Sequence, residues 1–135
     1  KFYFFDTGVK RALARQLSIP IEPSTYDYGD SFEHFIILEC QKLASYSRKD
    51  FQFSYFMTQS GVEIDLVVER PGQPLLFIEI KSKMDVQERD VKELVSIRSD
   101  FPEAEFICFS QDKREKMING ILVLPWQKGL SRYFL

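Results

Sequence analysis

Two apolar runs in the middle of the chain carry acids where buried strands tolerate none. Gly61-Val62-Glu63-Ile64-Asp65-Leu66-Val67-Val68 is followed, past a Pro71-Gly72 turn, by Phe77-Ile78-Glu79-Ile80-Lys81. A carboxylate sealed among apolar side chains is costly unless something compensates it. The compensation is a cationic side chain, a metal ion, or an exposed strand end beside a cleft. These segments therefore point to neighbouring strands that open into a polar site.

The flanking sequence supplies the rest of one domain over residues 1–135, a length that buries a real core. Lys1–Phe5 reads as a short strand or an extended entry segment and Val9–Leu17 as a helix after an Asp6-Thr7-Gly8 start, with Ser18–Tyr28 as a loop carrying two prolines. Asp30 with Glu33 has the form of a capping box, so a helix is expected from Asp30 to Ser45. It is apolar on most sides, which makes Glu33 and Glu39 stand out.

Phe51–Thr58 alternates as a strand, and Val62–Glu69 is the next. Regular alternation puts Val62, Ile64, Leu66 and Val68 on one face, with Glu63, Asp65 and Val67 on the other. Leu75–Lys81 is the third strand, placing Phe77, Glu79 and Lys81 together. A helix over Ser82–Ser99 ends at Asp100-Phe101-Pro102, and Glu105–Ser110 is a fourth strand. Gln111–Met117 is a short helix or surface turn, Asn119-Gly120 a break, Ile121–Leu124 a fifth strand, and the tail from Pro125 turns helical. The expected fold class is α/β: an α-β-β-β-α-β core whose central mixed sheet is flanked by helices. Tight turns make the first three strands antiparallel, and the helix before the fourth allows a parallel crossover.

Charge narrows the function classes. A formal net charge of −2 lacks the basic surface of a dedicated DNA-binding module, though a local basic patch is compatible with it. Cys40 and Cys108 stand far apart in apolar contexts and read as buried free thiols; one His and two Cys lack zinc-ligand spacing. No run of eighteen apolar residues and no signal peptide occurs, so a cytoplasmic protein with no membrane partner is expected. The first residue is Lys, as in a fragment of a longer chain.

Glu79 and Lys81 are two apart and leave their strand on one side. Asp65, central in the preceding strand, is brought near Glu79 by an antiparallel register. Two converging carboxylates repel each other unless a divalent cation lies between them. Mg²⁺ or Mn²⁺ suits such a site, held by Asp65, Glu79 and the backbone carbonyl of Ile80 with water completing the shell. Lys81 would orient or help deprotonate an attacking water and stabilise charge on a phosphate. Each residue also has a structural reading. Glu33 serves as the capping partner of Asp30, Glu39 pairs with a neighbouring cation, and Glu79 with Lys81 forms an exposed ion pair of little consequence. His34 belongs on the helix surface and Trp126 in the core or against a partner, while Lys83 and Gln59 are further candidates at the site's edge.

Asp65 followed on the next strand by Glu79-Ile80-Lys81 resembles the PD-(D/E)xK nuclease superfamily. The resemblance implies a restriction-endonuclease-like fold and a metal site of Asp65, Glu79 and Lys81. It also implies a helical acid at Glu33, with Glu39 as the second candidate. Ile64 stands where that motif has proline. The chain more closely resembles the uncharacterised C-terminal domain of archaeal and bacterial AAA-type ATPases. The matching stretches are Phe4-Phe5-Asp6-Thr7-Gly8, Gly29-Asp30-Ser31-Phe32-Glu33-His34-Phe35, Gly61 to Asp65, and Ile78 to Ser82. That resemblance implies an ATP-binding domain preceding Lys1 as a partner; no Gly-x-x-x-x-Gly-Lys loop is present here. Two functions follow as expectations: a Mg²⁺-dependent endonuclease acting on DNA, or a non-catalytic module that binds nucleic acid or protein and regulates the ATPase.

Overall fold

The computed structural model describes residues 26–135. The expected strand at Lys1–Phe5 and helix at Val9–Leu17 lie outside the described residues. Helix α1 (Tyr26–Tyr46) leads into strands β1 (Gln52–Met57), β2 (Glu63–Glu69) and β3 (Leu76–Ile80). A 3₁₀ turn at Glu88–Asp90, helix α2 (Lys92–Ile97) and a second 3₁₀ turn at Arg98–Asp100 precede β4 (Glu105–Ser110). Strands β5 (Lys116–Ile118) and β6 (Ile121–Pro125) and helix α3 (Trp126–Phe134) complete the chain.

The six strands form one mixed sheet in the order β1-β2-β3-β4-β6-β5. β1, β2 and β3 are antiparallel, β3-β4 and β4-β6 parallel, and β5-β6 antiparallel. The α/β class and the α-β-β-β-α-β order are thus as the sequence implies. One sheet face packs α1 and α3 through Ile36, Ile37, Cys40, Leu66, Ile78, Ile80, Phe109 and Phe134. The other packs α2 through Ile64, Val67, Phe77, Val91, Leu94 and Cys108. On that second face Phe77 stacks on Phe106 at 5.0 Å between ring centroids and meets Phe101 at 4.8 Å. Both cysteines are buried free thiols.

Four local expectations change. Helix α1 is already running at Tyr26, so Tyr26–Tyr28 are helical and Asp30 lies inside the helix, where it cannot act as its cap. His34 is buried within it, 1% exposed, instead of lying on the surface. The helix expected over Ser82–Ser99 is reduced to its second half. Asp112 takes the Val86 N–H at 3.2 Å and Asp90 takes the Gln87 N–H at 2.8 Å, so side chains engage backbone donors before a helix forms. Finally, Lys116–Ile118 is a strand because Asn119 and Gly120 both adopt positive φ, 50° and 80°, and return it against β6.

Alternation also breaks inside β2. Ser54 pairs with Val67 and Phe56 with Ile64, so Asp65 and Leu66 together oppose Tyr55 alone. This is a β-bulge, which adds one residue and re-aims the side chains around it. Ile64 consequently joins Val67 on the second face while Leu66 packs on the first. The regular pattern that put Ile64 and Leu66 together does not survive.

Candidate active site

At the end of β3 the strands part. Asp65 turns to β3 and its Oδ2 accepts the Ile80 backbone N–H at 2.8 Å, a side chain supplying what a ladder carbonyl would otherwise give. The same residue lines a cleft of about 390 Å³ with Tyr26, Gly29, Asp30, Glu33, Ile80, Lys81, Ser82 and Lys83. One wall is the first two turns of α1, and the other is the segment leaving β3. Asp65 also borders a smaller cavity of about 120 Å³ with Ile37, Gln41 and Tyr55. The bulge thus gives Asp65 to the α1 side. Glu79 and Lys81 meet directly at 2.8 Å, while Asp65 reaches β3 at the Ile80 backbone and lies near enough for its charge to act on both of them.

Glu79 lies beneath the cleft, 4% exposed, in register with Cys108 of β4. Its Oε1 is 2.8 Å from Lys81 Nζ. Its Oε2 is buried and has no hydrogen-bond partner among the described residues. Burial, followed by the charge of Asp65, pushes the Glu79 carboxyl up to about 8, against the opposing pull of Lys81. Burial pulls Lys81 down, but the charge and hydrogen bond of Glu79, with Asp65 behind, leave it above its ordinary value. The two shifts compete, since Lys81 rises only when Glu79 is ionised. Lys81 is therefore cationic at neutral pH, and Glu79 readily takes a proton.

The other candidates separate cleanly. Glu33 lines the cleft and raises Glu79 slightly through its charge, whereas Glu39 pairs with Lys42 at 3.2 Å on α1. Lys83 reaches the cleft but is held by Asp90 at 2.9 Å. Gln59 is exposed in the β1-β2 turn, and Trp126 packs edge-on to Phe35 at 5.4 Å. The sequence did not single out Tyr26, Gly29 or Ser82 for the cleft, nor Asp30 beyond its capping pattern. Their signal was there, since positions 26, 29, 30 and 33 fall on one helical face.

The site residues fit a divalent cation in kind. Glu79 Oε2, unsatisfied among the described residues, is a buried oxygen that a cation would satisfy, and the Ile80 carbonyl and water are ordinary partners for Mg²⁺. Among the described residues no three His, Cys, Asp or Glu side chains group closely enough to hold a metal by themselves. The fit therefore rests on two carboxylates and backbone, as hard oxygen-preferring cations allow.

Fold and cleft together define the class: a mixed α/β domain with a carboxylate–lysine pair where its central strands diverge. Residues 28–128 match the family model described as a domain of unknown function, DUF4143, and the chain belongs to that family. Among curated proteins none matches it. Its fold is similar to a chain in the half-complex refined from a tetradecameric assembly of Thermococcus gammatolerans McrB AAA+ hexamers with bound McrC. The two share 16% identity at a TM-score of 0.52, over 71% of this chain and 27% of that one. This chain spans about a quarter of that protein's length, and the likeness is one of fold.

No helix among the described residues is long and apolar enough to cross a membrane.

Proposed function

We propose that this domain is a restriction-endonuclease-like, Mg²⁺-dependent hydrolase of DNA phosphodiesters that works attached to an AAA-type ATPase. The observation that carries the reading is Glu79: a sealed carboxylate beside Asp65, with one oxygen on Lys81 and the other without a hydrogen-bond partner among the described residues. An apolar strand retains such a group at a cost, and a cation shared with Asp65 and the Ile80 carbonyl would offset it. When bound, the cation would supply Lewis-acid polarisation of the phosphate.

The chain's own residues would do the remainder. Lys81, kept cationic by Glu79, is unsuited to accept a proton at neutral pH; its role is to hold a phosphate oxygen and the attacking water in line. Glu33 faces the same cleft from α1 and would orient that water. The ATPase attachment is supported by the fold's similarity to part of an AAA+ assembly and by the sequence resemblance described above.

A second reading, a non-catalytic module that keeps the fold and regulates its ATPase, is favoured by one observation. An oxygen of Asp65 is already engaged by the Ile80 N–H. Incubation with plasmid and single-stranded DNA in Mg²⁺ or Mn²⁺, beside Asp65→Ala and Lys81→Ala, decides between them. Cleavage lost in both variants supports the hydrolase; no cleavage above the variants in either metal leaves only the module.

A further inference from the structure

Gln111 follows the last residue of β4, and its bonds converge on both walls of the cleft. Lys81 N–H donates to Phe109 O at 2.9 Å, and Gln111 N–H donates to Lys83 O at 2.9 Å, so residues 81–83 continue alongside β4 after β3 ends. The Gln111 side-chain amide then donates to Ser82 O at 3.2 Å and to the Tyr28 hydroxyl at 2.8 Å. Tyr28 is on α1, little more than a turn before Glu33, and Ser82 adjoins Lys81. A primary amide carries two N–H donors on one planar group, and here each serves a different wall.

We infer that Gln111 is a positioning residue whose amide fixes the separation of α1 from residues 81–83, and with it the width of the cleft between Glu33 and Lys81. Glutamate offers no N–H and leucine no polar atom, while asparagine is one methylene too short to span both acceptors. The geometric claim stands on these bonds alone; its catalytic consequence rests on the hydrolase reading.

The test uses the whole chain with spin labels at Asp27→Cys on α1 and Met84→Cys beyond Ser82, both exposed, while Cys40 and Cys108 are buried from the label. Dipolar spectroscopy should give one narrow distance, which Gln111→Ala and Tyr28→Phe lengthen or broaden. Tyr28→Phe keeps the ring that stacks on Phe32 and removes the hydroxyl that accepts from Gln111, so it serves if Gln111→Ala fails to fold. In a cleavage assay both changes should lower kcat by about tenfold or more with KM little altered, as misplacement of order 1 Å does. Unchanged distances in both variants, or a loss confined to KM, would overturn the inference. If the unsubstituted chain cuts nothing, the hydrolase reading fails while the distances still decide the role of Gln111.

Discussion

Lys81 Nζ sits 2.8 Å from Glu79 Oε1, and this ion pair joins an open cleft to a carboxylate sealed in the sheet. The pair's pH dependence has a defined sign. The folded chain holds a proton on Glu79 up to about 8, where the ordinary value is 4.5. A proton bound by the folded chain and not by the unfolded one stabilises the fold. That contribution is full below about 4.5 and is lost as pH rises through about 8. Denaturant titrations should show the unsubstituted chain losing stability across this window relative to Glu79→Gln, whose profile is flatter. Parallel profiles would contradict the burial of an ionisable Glu79.

Asp65 serves structure as well as chemistry. Asp65→Ala leaves the Ile80 N–H, on a residue 6% exposed, without its acceptor and should destabilise the fold by about 1–3 kcal/mol. Asp65→Asn keeps an acceptor oxygen and should lose much less stability while losing cation binding as fully. Urea unfolding of the two variants separates the roles; equal stabilities would show that the bond contributes little.

The sequence offers Glu33 first and Glu39 second as the helical acid, and the geometry separates them. Glu39→Gln breaks only an exposed pair with Lys42, so its effect on stability or cleavage should be slight. Glu33→Gln alters a cleft wall and should lower cleavage by about tenfold or more, the scale of losing one group that positions a reactant. The cleavage rates of the two variants, measured side by side, check the assignment.

Gly129 tests the packing of α3. A helix-interior glycine ordinarily favours replacement by alanine, by about 1 kcal/mol. Here a Cβ would come within 2.2 Å of the ring of Phe109, which is fully buried and cannot move aside. Gly129→Ala should therefore destabilise the chain, by about 1–3 kcal/mol, reversing the usual sign. Thermal unfolding reads it directly.

What the sequence discloses follows the range of the interaction that decides each element. Phe51–Thr58, Leu75–Lys81 and Glu105–Ser110 are legible because apolar spacing along one strand is local. The bulge at Asp65 and Leu66 is not, since it exists only through pairing with Tyr55. The lost first half of the Ser82–Ser99 helix depends on Asp112, 26 residues beyond Val86. Asn119-Gly120, by contrast, is the strongest short hairpin signal there is, and the charged residues before it hid the strand it joins. At the site, Asp65, Glu79 and Lys81 could be singled out from residue types and spacing. The contributions of Tyr28, Ser82 and Gln111 could not, because they arise where α1 meets the end of β4.

The central claim is that Asp65 and Glu79 share a cation, and calorimetric titration of the chain with Mn²⁺ tests it without requiring catalysis. A cation needs Glu79 ionised, so affinity should rise from pH 6 to pH 8. The account predicts one Mn²⁺ bound per chain at pH 8, abolished by Glu79→Gln and by Asp65→Asn. Equal binding by the unsubstituted chain and Glu79→Gln, or none by either, would contradict it.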